Sequence, residues 1–180
     1  MSPKPQETIV DFVTGRKVPN IGVEEHRQTV EKFLVESKGY GKEDIEVDAD
    51  LTLDIQGEPF SSNVDLVVRV NDTRYMVVKL APGSLGSRHR ETLAAARLLE
   101  TYQIPVSVVT NGQDAEILDT VTGELLDQGI AAIPSKETAR RHLSEITLQP
   151  YPEGKIEKEK IIFRSYDEMY VNVQRKVRSP

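Results

Sequence analysis

Between Arg74 and Thr110 the apolar residues change their period twice. RYMVVKL (74–80) is an almost unbroken apolar, β-branched run, as a strand in a covered sheet requires. RHRETLAAARLLETYQ (88–103) is rich in Ala, Leu and Arg, all strong helix formers. PVSVVT (105–110) returns to apolar strand. A strand, a crossover helix and a strand in this order place the two strands parallel, with a right-handed connection. The chain is therefore an α/β protein built on a mixed sheet with helices on its faces.

The flanking segments extend this frame. NIGVEEHRQTVEKFLVESKGYG (20–41) reads as a helix. Asn20 is a candidate cap, Glu24 and Glu25 suit a positive helix N-terminus, and Gly39 and Gly41 can end it. Its apolar stripe is Val23, Val30, Phe33 and Leu34, with Arg27 on the same side. DIEVDADLTLDI (44–55) alternates strictly, with Ile45, Val47, Ala49, Leu51 and Leu53 on one face and acidic residues on the other. NVDLVVRV is the next strand and NDT the turn into RYMVVKL, so the first strand pairs are antiparallel. After PVSVVT, Asn111-Gly112 signals a hairpin into AEILDT, and VTGELL supplies a further turn and a short edge strand. Two helices follow, SKETARRHLSEI with Ser135 as its cap and EGKIEKEKIIFRSYDEMY, joined by QPYPEG. The first 20 residues, with Pro3, Pro5 and Pro19, read as an extended arm or a short strand around 8–13. The expected division is an arm over 1–20, a core over 21–133 and a helical extension over 134–180.

Composition narrows the class. The 180 residues are enough for one ordinary domain, and 38% hydrophobic with 29% charged residues is globular rather than disordered. The chain has no cysteine, which removes disulfides and thiolate metal sites. A formal charge of −6 weighs against a protein that coats nucleic acid, since such affinity comes from neutralising phosphates. It also implies weak DNA binding by this chain alone. No apolar run reaches the roughly 20 residues of a membrane span. The opening residues lack a signal-peptide pattern, so a cytoplasmic location with no membrane partner is expected.

Lys79 stands at the end of an apolar strand, and Asp65 stands on the strand before it. With a turn near Asn71–Thr73, the two can meet at one end of the sheet. A metal-dependent nuclease needs a carboxylate to hold a divalent cation through oxygen. It needs a second carboxylate to complete the site, and a lysine to position the attacking water and offset charge on the phosphate.

The order helix, three strands, helix, strand, with Asp65 and Lys79 so placed, resembles the PD-(D/E)xK nuclease fold. More narrowly, the chain resembles the N-terminal domain of type I restriction enzyme R subunits and its free-standing relatives. EEHRQTVEKFLVESKGYGKEDIEVD is similar to that family's opening helix, VDLVV to its metal-binding aspartate strand, and VVKLAPGSL to its Glu-x-Lys strand and loop. VSVVTNGQDAEILDTVTGELL resembles its closing hairpin, and PEGKIEKEKIIFRSYDEM a charged C-terminal helix of some free-standing members. The resemblance spans residues 22–168 in order and spacing. It implies a restriction-endonuclease-like fold: an αβββαβ core plus a hairpin and C-terminal helices. It implies Mg²⁺, or Mn²⁺, as cofactor. The implied partners are DNA and either restriction-modification subunits or a homodimer mate.

One position departs from the family. Two residues before Lys79, where the family has Glu, this chain has Val77, which cannot bind a metal. Glu91 on the following helix and Glu24 on the first helix are the candidates to replace it. The candidate catalytic set is therefore Asp65, Lys79, Glu91 and Glu24, with Asp65, Glu91 and Glu24 as metal ligands. Each has a plainer reading. Asp65 can cap or face solvent, Lys79 can extend its head into water over an apolar stem, and Glu91 and Glu24 can be ordinary first-turn acids. The acidic residues of 46–54 read as the solvent face of an edge strand, and the clusters Arg88-His89-Arg90 and Arg140-Arg141 as solvated helix faces. His26, His89 and His142 show no zinc-ligand spacing. Two functions compete: metal-dependent hydrolysis of DNA phosphodiesters, and a catalytically degenerate domain that binds nucleic acid or protein.

Overall fold

The computed structural model describes the backbone of residues 6–178 and the side chains of residues 6–169. Residues 45–128 build a six-stranded sheet in the order β3-β4-β5-β6-β7-β8. The strands are β3 (Ile45–Ile55), β4 (Glu58–Val70), β5 (Thr73–Leu80), β6 (Val106–Thr110), β7 (Ala115–Asp119) and β8 (Leu125–Gln128). Every neighbouring pair is antiparallel except β5 and β6, which run parallel. The crossover between them is α2 (His89–Leu98), as the change of period between 74 and 110 requires. The mixed sheet flanked by helices is compatible with a restriction-endonuclease-like fold. No helix among the described residues is long and apolar enough to cross a membrane.

Two apolar layers cover the sheet. On one side Val30 and Leu34 of α1 (Glu24–Glu36) and Ala139 of α3 (Lys136–Glu145) meet Leu66, Val68, Val78, Val106 and Val108. On the other side Ala94, Ala95 and Ala96 of α2 and Phe163 of α4 (Glu153–Arg178) meet Val64, Val67 and Val77. Three consecutive alanines let α2 approach the strands closely, because a methyl group is the only side chain between backbone and sheet. The strict alternation of β3 leads to an expectation of a single buried face. Instead Ile45 and Val47 join the α1 layer, whereas Ala49, Leu51, Leu53 and Ile55 join the α2–α4 layer. The exchange falls at Asp48, whose φ is +52°. Asp can occupy that left-handed region more readily than a β-branched residue.

Residues 6–19, read as an arm, contain a two-stranded hairpin of β1 (Thr8–Val10) and β2 (Lys17–Pro19). Residues 1–5 of that arm lie outside the described residues. The turn of this hairpin is tied to α1: Gln28 Nε2 donates to Asp11 Oδ2 at 3.1 Å, and the Val13 amide donates to Glu31 Oε2 at 3.1 Å. Asn20 does not cap α1. The helix begins at Glu24 without a side-chain cap, and the Asn20 amide donates to Glu25 instead. Ser135 does cap α3, accepting the Thr138 amide at 3.1 Å. The last helix runs further than its sequence pattern indicated, to Arg178.

The Asn111-Gly112 hairpin forms as expected. Asn111 Oδ1 accepts the amides of Gln113 and Asp114, and Gly112 takes φ +87°. A Cβ on Gly112 would stand 3.4 Å from the His26 backbone, so this turn packs directly on the start of α1. Gly112→Ala is expected to lower stability by about 1–2 kcal/mol, chiefly through the left-handed backbone. A urea melt with unchanged slope and an earlier midpoint would register the loss.

Candidate active site

The site begins with register. Leu66 faces Val78 across β4 and β5, and this alignment sets Asp65 directly opposite Lys79 on the α2 side of the sheet. The ladder between the two strands stops there. The Leu80 amide donates instead to Asp65 Oδ2 at 2.8 Å, which fixes the carboxylate. Asp65 Oδ2 lies 3.5 Å from Lys79 Nζ.

Glu91 enters from the first turn of α2, where the helix dipole favours a carboxylate. Its Oε1 lies 3.2 Å from Lys79 Nζ, and its Oε2 lies 3.3 Å from Arg88 Nη1. Anion and cation thus alternate through Asp65, Lys79, Glu91 and Arg88. Lys79 does not extend into water: its side chain is 14% exposed, and that of Glu91 is 4% exposed. Burying these charges is tolerable because each meets an opposite one. Val77 is wholly buried against the alanines of α2, two residues before Lys79. The lysine two residues beyond Val77 thus receives a carboxylate from α2.

Glu24 is placed differently. Its carboxylate receives Arg27 Nη2 at 2.8 Å and Gln28 Nε2 at 2.7 Å. Arg27 in turn binds Asp48 at 2.8 Å, and Asp48 stands opposite Asp65 on the neighbouring strand. Glu24 is thus held on α1 by Arg27 and Gln28, and its link toward β3 runs through Arg27 to Asp48. Burial opposes the charge on Arg27, but Asp48 and Glu24 more than compensate and raise its pKa above the usual arginine value.

Several expectations need correction. Asp48, Asp50 and Asp54 of the edge strand β3 are exposed as expected, but its acidic residues are also paired. Glu46 is bound by Arg69 and by Arg74, Asp48 by Arg27, and Asp50 by Asn63. The Arg88-His89-Arg90 cluster is not a solvated face. Arg88 pairs with Glu91, His89 with Glu116 and Arg90 with Glu159. The His89–Glu116 pair escaped the sequence reading. Its signal is the sheet register, which aligns Lys79, Val109 and Glu116 in one row.

The fit of a divalent cation rests on the donors. Among the described residues no group of three or more His, Asp or Glu could hold a metal. Magnesium ordinarily uses one or two carboxylates, with waters and substrate phosphates filling the other positions. Asp65 and Glu91 supply that number of hard anionic donors around one lysine. Beside them, Asn63, Val77, Lys79, Glu91 and Phe163 line a space of about 10 Å³. That is about the size of one water molecule.

An α/β domain with an Asp–Lys–Glu grouping where two neighbouring strands part is compatible with the restriction-endonuclease-like class. The chain belongs to the family described as type I restriction enzyme R protein N terminus, whose pattern matches residues 23–134. The match runs from the start of α1 past β8 and leaves out the β1–β2 hairpin, α3 and α4. No curated protein and no solved structure shows a significant match to the chain.

Proposed function

We propose that the chain is a nuclease-type domain that hydrolyses DNA phosphodiester bonds with Mg²⁺ or Mn²⁺, and that Asp65 and Glu91 hold the ion. The observation that supports this reading is the contact of Glu91 with Lys79, which brings a carboxylate to the lysine two residues beyond Val77. Bound there, the ion would polarise the phosphate and make a coordinated water more acidic. The residues of the chain do the rest. Leu80 holds Asp65 in one orientation through its amide. Lys79 donates to the attacking water or to a non-bridging phosphate oxygen, and Arg88 keeps Glu91 turned toward it. By its family, the natural setting is a restriction system, with DNA and restriction-modification subunits, or a second copy of the chain, as partners.

A second reading has its own support. Both carboxylates are already paired with cations, and the adjoining space is no larger than one water. These features favour a scaffold that binds nucleic acid or protein without cutting.

Nicking of supercoiled plasmid with Mg²⁺ and with Mn²⁺ separates the two. Asp65→Asn and Lys79→Ala are each expected to slow nicking by about 100-fold or more. Calorimetry should show Mg²⁺ binding that Asp65→Asn abolishes. Cutting that persists in both variants would remove the assigned site. A wild-type chain that neither cuts nor binds the ion, yet retains an oligonucleotide, would establish the scaffold reading.

A further inference from the structure

A second polar centre lies on α2 and α4, away from Lys79. Glu159 of α4 is buried, and it binds two arginines of α2 at once: Arg90 at 3.2 Å and Arg97 at 3.0 Å. Tyr151 donates its hydroxyl to the same carboxylate at 3.1 Å, and its ring lies 5.2 Å from the Arg97 guanidinium. Burial would raise the pKa of Glu159, but the two arginines hold it below its usual value. The carboxylate therefore stays ionised and fixes both guanidinium groups side by side.

These groups line a cavity of about 550 Å³ together with Lys155 and Lys158, both exposed on α4. Four cations and one carboxylate face one hollow on a chain whose net charge is −6. A lock between two helices needs only one arginine per carboxylate. The second arginine and the two lysines leave positive charge facing the space, and a hollow of this size admits a small polar group. One turn along α4, about 6 Å, Phe163 borders the small space against Lys79 and Glu91.

We propose that this cavity is a second contact point for nucleic acid, where the phosphodiester backbone is held by the same two helices, α2 and α4, that supply Glu91 and Phe163 beside Lys79. The choice of a phosphodiester over other anions rests on the hydrolytic reading above. Tyr151, Lys155, Lys158 and Glu159 all lie beyond residue 134, where the family match ends. Charge of this kind gives affinity without base recognition, and that affinity falls with salt.

The test is fluorescence anisotropy of a labelled oligothymidine, and in parallel an oligouridine, titrated with the whole chain in EDTA over a series of salt concentrations. Lys155→Gln with Lys158→Gln removes two exposed charges, and an unchanged melting temperature checks that the fold persists. The expected result is roughly tenfold weaker binding and a salt slope shallower by about 1.5. Wild-type affinity and slope in the lysine double variant would overturn the proposal. So would displacement of the oligonucleotide by polyglutamate at equal charge concentration, which would mean that the cavity takes any polyanion. The oligothymidine and oligouridine arms show which backbone is preferred. If Lys79→Ala still nicks plasmid while the lysine pair proves necessary for binding, the hydrolytic reading fails and this surface stands.

Discussion

Glu91→Gln is expected to slow Mg²⁺-dependent nicking by about 100-fold or more, as severely as Asp65→Asn. Glutamine keeps the size of the side chain and can still accept a hydrogen bond from Lys79, so the fold should survive. It loses the anionic oxygen that a hard cation requires. Glu24→Gln should behave otherwise. Glu24 binds Arg27 and Gln28, so its loss is expected to lower the melting temperature more than the nicking rate of the folded protein. The converse variant is Val77→Glu, which restores the family's Glu-x-Lys spacing. Position 77 is now wholly buried beneath the alanines of α2. A carboxylate there would be desolvated and would compete with Glu91 for Lys79, and the expected cost is about 3 kcal/mol or more. The measurement is a nicking time course for each variant beside its thermal melt. Full activity in Glu91→Gln would show that α2 does not supply the missing ligand.

Glu31→Gln is expected to stabilise the chain at alkaline pH and to change little near pH 5. Glu31 is wholly buried on α1, and its Oε1 has no hydrogen-bond partner among the described residues. Burial, with the charge of Asp11 alongside, pushes its carboxyl up to about 8 from an ordinary 4.5, against the Val13 amide and Arg27. The folded chain thus holds a proton that the unfolded chain releases. Between pH 4.5 and about 8 the native state binds more protons than the unfolded state, so stability falls as pH rises through that window. Above it Glu31 ionises inside the protein, and the whole penalty is felt, of order 4 kcal/mol. Glutamine preserves the acceptor for Val13 and places an amide donor toward Asp11. The expected gain is roughly 8–16 °C in Tm above about pH 8. A wild-type Tm that rises across the same window would mean that Glu31 is charged in the folded state.

Which parts of this arrangement were legible in the sequence follows from the range of the interactions. The β5–α2–β6 unit was legible because the apolar period reports local burial, and the pairing of Asp65 with Lys79 followed from a short turn between two strands. The Ser135 cap and the Asn111-Gly112 hairpin are local hydrogen-bond signatures, and both formed. Glu91 was legible only as a candidate. Its approach to Lys79 depends on how α2 lies over the sheet, which the three alanines permit but do not specify. The hairpin of residues 8–19 is hard to tell from an arm in sequence, because its anchors join Asp11 to Gln28 and Val13 to Glu31, 17 and 18 residues apart, with no period to betray them. The Glu159 centre is longer in range still: it joins α2 to α4 across 62–69 residues.

The left-handed turn at Asp48 has a mechanical result. The β3–β4 hairpin belongs to both apolar layers, with Ile45, Val47 and Leu66 in one and Leu51, Leu53 and Val64 in the other. Neither layer can come apart while that ribbon stays intact, and fraying of the ribbon weakens both at once. Heating should therefore dismantle the two sides of the sheet in one step, with near- and far-ultraviolet dichroism falling along a single curve.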